Sequence, residues 1–111
     1  MRPLLALAMV ALAAACQRTP EQQQADQMRS DARQRGDAIK KQADIQVDHL
    51  QQQASDLENE ANQVGGMTGE RLSVRADGLE KEAKIVRKQA AMRADAIKEA
   101  TDARIKASQS R

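Results

Sequence analysis

The chain has 111 residues and a net charge of +2, and it contains no Phe, Tyr or Trp although 41 % of its residues are hydrophobic. Alanine supplies 21 of those residues, and residues 17–111 contain only 4 Leu, 5 Ile and 4 Val, too few for the core of an ordinary globular enzyme. Because Gly and Pro are also scarce, at 5 and 2, the composition leaves long helices, a coiled coil or disorder.

The first predicted element is a secretory signal peptide at residues 1–15. Arg2 places a positive charge before an uncharged run at residues 4–15, which ends in three alanines. The run has 12 residues, whereas a helix needs about 20 apolar residues to cross a membrane. We therefore expect this segment to be removed by cleavage between Ala15 and Cys16.

The lone cysteine that follows resembles the lipobox cysteine of bacterial lipoproteins. Cys16 comes directly after three alanines, with Leu12 four residues before it instead of the usual three. The resemblance implies that Cys16 is acylated, with palmitate among its chains, and that residues 16–19 form a short tether to membrane lipid. Gln17, where retained proteins of the enterobacterial class have Asp, implies an outer-membrane anchor facing the periplasm.

The rest of the chain predicts two helices joined by a turn. Thr19 can cap a helix that has Pro20 in its first position, and no proline follows. The segment Gly65-Gly66-Met67-Thr68-Gly69 is the strongest helix break. We expect helix 1 at 20–64, a turn at 65–69, helix 2 at 70–108 and a tail at 109–111. The predicted fold class is all-α: a long antiparallel two-helix coiled-coil hairpin after a cleavable signal helix.

Apolar residues recur at steps of three and four along both arms, as in a coiled coil. Folding the arms about the turn pairs Leu57 with Leu79, and the paired residue numbers sum to 136 or 137. Layers of paired alanines lie between layers of paired larger apolar residues. Residues 17–66 carry a net charge of −3, whereas residues 67–111 carry +4. The pattern resembles the Ala-rich antiparallel coiled coil. The predicted hairpin core comprises Ile39, Val47, Leu50, Leu57, Val64, Leu72, Leu79, Val86 and Ile97.

No catalytic, cofactor or metal site is predicted, so we expect a protein that is not an enzyme. His49 is the only histidine, and Ile45 and Gln53 occupy the positions four residues away that a helical metal pair would need. The glycine turn lacks the lysine of a phosphate-binding loop. We expect no small-molecule substrate. We also expect no nucleic-acid ligand, since the chain has no aromatic residue for base stacking.

A basic stretch in the second arm has two interpretations. It is either a solvated face that complements the acidic arm, or a contact for anionic lipid headgroups, lipopolysaccharide or cell-wall polymer. The stretch comprises Lys81, Lys84, Arg87, Lys88 and Arg93.

These features predict an envelope protein that acts as a spacer, tether or docking hairpin. Signal, lipid cysteine and Ala-rich helix resemble the murein lipoprotein in style. The chain departs from it by having two helices and by ending in Ser110-Arg111 without the lysine that joins peptidoglycan. The expected partners are membrane lipid, a second copy of the chain, and an envelope protein or the cell wall. The alternatives are an amphipathic or stress-protective protein that folds on lipid, and a parallel oligomer of continuous helices.

Overall fold

The computed structural model describes residues 19–110, which form a hairpin of two long α-helices packed against each other. Helix α1 spans Pro20–Val64 and has 45 residues; helix α2 spans Gly66–Gln109 and has 44. The predicted all-α helical hairpin is thereby confirmed. The expected signal peptide, its cleavage site and Cys16 lie outside the described residues.

Local signals explain where α1 begins. Thr19 has an extended backbone with ψ of 151°, and its hydroxyl oxygen accepts a hydrogen bond from the Gln22 amide at 3.3 Å. The Gln23 amide donates to the Thr19 carbonyl at 3.0 Å. Pro20 occupies the first turn, where its missing N–H costs no helical hydrogen bond. Capping of this kind contributes about 1 kcal/mol to helix stability.

The connection between the helices is shorter than the sequence suggested. Gly65 alone separates them, so the expected turn at 65–69 and helix start at 70 are wrong: Gly66 and Gly69 belong to α2. Gly65 has φ 66° and ψ −176°, and Gly66 has φ 61°. These are backbone conformations that residues with a Cβ rarely adopt. The Gly65 amide donates to the Ala61 carbonyl at 2.9 Å, so the last turn of α1 closes on the glycine.

This short connection sets a different helix register from the expected one. An ideal Cβ on Gly36 would lie 3.4 Å from the Cβ of Ala94, and one on Gly69 would lie 2.7 Å from the carbonyl oxygen of Ala61. The residue numbers of both pairs sum to 130. The expected sum of 136 or 137 is therefore wrong. The reason is that the hairpin folds about Gly65 and not about the middle of a five-residue turn.

Small residues form the buried seam between the helices. Val47 is fully buried, and almost every other buried residue is alanine or glycine. Because the two helix backbones approach closely, large side chains lie along the edges of the seam. We call the buried set the inner seam; it comprises Ala25, Ala32, Gly36, Ala43, Val47, Ala54, Ala61, Gly69, Ala76, Ala83, Ala90 and Ile105.

The predicted core residues divide into three groups. Val47 is buried as expected. Val64 was expected in the core, but it is 55 % exposed because α1 ends at this residue and the chain turns immediately after it. The other seven are half-buried along the seam: Ile39, Leu50, Leu57, Leu72, Leu79, Val86 and Ile97.

Candidate functional site

The positions expected to carry lipid chemistry, Ala15 and Cys16, precede the first described residue. Thr19, three residues after Cys16, already caps α1. Because the register brings the beginning of α1 beside the end of α2, Thr19 and Ser110 lie at the same end of the hairpin. The turn at Gly65 lies at the other end, about 67 Å away for a helix of 45 residues.

His49 and the glycine connection, which were considered for metal and phosphate chemistry, lie about four helical turns apart along α1. His49 is exposed on α1. Within residues 19–110, no group of three or more His, Cys, Asp or Glu side chains could hold a metal ion. No side-chain nitrogen or oxygen atom in this part of the chain is both buried and without a hydrogen-bond partner.

The basic stretch of α2 is exposed along its whole length and spreads around the helix. At about 100° per residue, Lys81, Lys84 and Lys88 lie within about 60° of one another, whereas Arg93 lies about 140° from Lys88. Of the ion pairs between described residues, the one formed is local to α1, from Arg29 Nη1 to Asp26 Oδ1 at 3.7 Å. The expected attraction between the acidic and basic arms therefore does not take the form of close interhelical ion pairs within residues 19–110.

A polar groove of about 700 Å³ runs between the helices toward their open end. Its floor consists of inner-seam residues, including Gly36 and Ile105, together with Ala94 and Thr101. The Thr101 hydroxyl donates to the Ile97 carbonyl at 2.8 Å, so α2 itself uses that donor. The walls mix five cations and three carboxylates: Arg29, Arg33, Lys40, Lys98, Lys106, Asp37, Asp95 and Asp102.

A second feature of the surface is a row of large apolar side chains on α2. Met67, Val74, Ile85 and Met92 are between 55 % and 73 % exposed, and they follow one another at steps of 7, 11 and 7 residues. The single apolar stripe predicted for each arm does not include this row. The signal that reveals it is the repeat of helical spacings among residues left outside the predicted core.

Neither helix within residues 19–110 has a stretch that is apolar enough to cross a bilayer. Comparison of the chain with protein-family models, curated proteins and solved structures found no match.

Proposed function

We propose that this chain is a lipid-anchored protein of the cell envelope whose helical hairpin acts as a spacer, tether or docking surface. The observation that carries the proposal is the common position of Thr19 and Ser110 at the open end of the hairpin. Acylated Cys16 would hold this end at a membrane. The Gly65 turn would then project about 67 Å from the lipid surface.

The proposed anchor lies close to the first helix in sequence. Only residues 17–19 separate Cys16 from the first helical residue, Pro20. Each buried methylene of an acyl chain contributes roughly 0.8 kcal/mol, and two chains hold a protein stably on a bilayer. A tether of three residues would keep α1 near the lipid headgroups. By resemblance to the lipoprotein class, this lipid would be that of the outer membrane, and the hairpin would face the periplasm.

The surface of the hairpin offers features suited to contact with a partner. The described residues form a mixed-charge groove and an exposed apolar row. Surfaces of this kind recognise partners through packing and charge. We therefore assign the hairpin a structural or docking role in the envelope.

The second candidate is an amphipathic protein that folds on a lipid surface. The exposed row on α2, from Met67 to Met92, favours it, since a helix with one apolar line and basic flanks can lie in a membrane interface. The two candidates differ in orientation. In the amphipathic candidate α2 would lie flat on the lipid, whereas the anchored hairpin would project away from the lipid.

Metabolic labelling tests the anchor. Full-length protein expressed in a bacterial host with radioactive palmitate should incorporate label, and a Cys16→Ser variant should not. The variant should also lose the mobility shift that accompanies removal of residues 1–15 from an acylated chain. Equal labelling of both proteins would overturn the lipid anchor.

A further inference from the structure

The exposed apolar row on α2 has the geometry of a helix-packing surface without a partner. Met67 and Ala103 are 36 residues apart, which is ten turns at about 3.6 residues per turn, so both lie on one line along the helix. Val74, Ile85 and Met92 lie within about 20° of that line, on the side of α2 turned away from α1. We call this surface the outer stripe; it comprises Met67, Val74, Gly78, Ile85, Met92, Ala96 and Ala103.

Gly78 has no packing role inside the hairpin. Gly36 and Gly69 each lie where a neighbouring atom comes within 3.4 Å of an ideal Cβ, so their lack of a side chain allows close contact between the helices. An ideal Cβ on Gly78 meets nothing within 4 Å. Glycine weakens a helix relative to alanine. Its position on the outer stripe fits the close approach of another helix there, and a lipid surface would gain nothing from it.

We propose that the outer stripe binds a second copy of this chain, whose α2 packs against it in antiparallel orientation. Self-complementary charge along one edge of the stripe favours a second copy, because basic and acidic side chains alternate there in blocks. When facing residue numbers sum to 183, four pairs of opposite charge form, each occurring twice in the dimer. The pairs are Asp77 with Lys106, Lys81 with Asp102, Lys84 with Glu99, and Lys88 with Asp95.

Parallel pairing of the same stripe lacks this complementarity. In a parallel pair, a charged residue on one edge of the stripe faces the residue five positions later on the partner chain. Two of the four charged pairs formed in this way repel. Glu70 with Arg75 and Glu99 with Arg104 attract, whereas Asp77 with Glu82 and Lys88 with Arg93 repel. The opposite edge of the stripe carries Arg75, Arg93, Arg104 and one carboxylate at Glu82, and in the antiparallel form Arg75 faces Arg104 and repels it. The choice therefore rests on the first edge.

The antiparallel alignment also fits large residues against small ones. Stripe residues face the partner chain at a sum of 181, which is two less than the sum for the charged edge. Gly78 then faces Ala103 and Ile85 faces Ala96, while Val74 faces Ala107, which lies beside the stripe. The two Met92 side chains lie close together beside the two-fold axis. The inner seam uses the same solution, since its register places Val47 opposite Ala83.

The orientation of the pair has a consequence that rests on the proposed lipid anchor. In an antiparallel pair, the open end of one hairpin lies beside the turn of the other. Two acylated Cys16 residues would then lie at opposite ends of the pair, so the pair would link two lipid surfaces held roughly one hairpin length apart.

Disulfide cross-linking of full-length protein in detergent tests the pairing. Met92→Cys in a Cys16→Ser background, where the added cysteine is the only thiol, should form a covalent dimer under mild oxidation. Adding Ile85→Lys should reduce the dimer about tenfold or more because it places a charge in the contact. Ile45→Lys is the matched control, since Ile45 is also an exposed isoleucine but lies on the outer side of α1. It should leave the dimer unchanged, and circular dichroism should show equal helix content in all three proteins.

Mixed cross-linking and charge reversal test the orientation. Chains with Val74→Cys should link to chains with Ala107→Cys, and neither should link to its own kind. Lys84→Glu should weaken pairing, and addition of Glu99→Lys in the same chain should restore it. A Val74→Cys homodimer would overturn the antiparallel arrangement.

Two further outcomes separate this inference from the proposed function. A monomeric Cys16→Ser protein that binds anionic phospholipid vesicles, and loses that binding with Ile85→Lys, would overturn self-pairing in favour of a lipid contact. Clustering of vesicles that carry the acylated protein requires both the anchor and the pairing. The Cys16→Ser proteins could cross-link as expected while the unsubstituted protein fails to cluster vesicles. That result would contradict the lipid anchor and leave the pairing intact.

Discussion

Gly36 of α1 and Ala94 of α2 face each other across the hairpin, with 3.4 Å between the Cβ of Ala94 and the position that a Cβ on Gly36 would occupy. This contact fixes the alignment of the two helices. It also shows why small residues occupy the inner seam, since two backbones this close leave no room for a Leu or Phe between them. The absence of aromatic residues thus suits the fold.

A pair of cysteines at these two positions tests the register. The distance between the two Cβ positions is close to the 3.5–4.5 Å typical of disulfides. Gly36→Cys with Ala94→Cys, in a Cys16→Ser background, should close within one chain at low protein concentration, as a mobility shift that a reducing agent reverses. Gly36→Cys with Thr101→Cys matches the register of 137. Closure of that pair in place of the first would contradict the observed alignment.

Two valines of the predicted core should differ in their contribution to stability. Val47→Ala removes two buried carbon atoms and should lower the free energy of unfolding by about 2 kcal/mol. Val64→Ala should change it by less than about 0.5 kcal/mol, since Val64 is 55 % exposed. Urea unfolding followed by circular dichroism measures both. Equal losses would show that Val64 is packed in solution.

Two glycines of α2 should respond to alanine in opposite directions. Gly69→Ala places a Cβ 2.7 Å from the Ala61 carbonyl oxygen, so the helices must separate locally at a cost of about 1–3 kcal/mol. Gly78→Ala meets no neighbour and should stabilise the isolated hairpin by up to about 1 kcal/mol. Thermal unfolding at low protein concentration compares the two. A stabilised Gly69→Ala variant would contradict the close approach at the turn.

The conformation of Gly65 should be required for the tight connection. A Cβ at φ 66° and ψ −176° is strained, so Gly65→Ala should destabilise the hairpin by about 1–3 kcal/mol. No atom lies within 4 Å of the added Cβ, so the loss would come from the backbone and not from a clash. Insertion of two glycines after Gly65 relieves the strain and should recover part of the loss in the alanine variant. An unaffected melting temperature for Gly65→Ala would show that the turn adopts another conformation.

The sequence predicts the helices well because their signals are local. Thr19 and Pro20 mark the start of α1 whatever the rest of the chain does. The register is not local. Shifting one arm by seven residues places Gly36 against Thr101 in place of Ala94, and both lie on the same apolar stripe. The pattern therefore fits sums of 130 and 137 equally well, and only the length of the glycine connection distinguishes them.

The degree of burial is harder to predict than the stripe itself. Leu57 and Leu79 lie on the stripe, yet both are half-buried because the alanine contacts set the distance between the helices. The outer stripe is visible in the sequence as the spacing of Val74 and Ile85. A search for one apolar line per helix does not detect it, since a helix that packs on two sides carries two lines.

The distance of each end of the hairpin from the lipid distinguishes a projecting hairpin from one that lies flat. Acylated protein in vesicles at low density can carry a fluorophore at Met67→Cys, near the turn, or at Ser108→Cys, near the open end. A quencher attached to lipid headgroups acts over short distances. An anchored, projecting hairpin predicts strong quenching at position 108 and almost none at position 67, roughly 60 Å farther from the surface. Equal quenching at both positions would show that the helices lie flat on the membrane and would contradict the account.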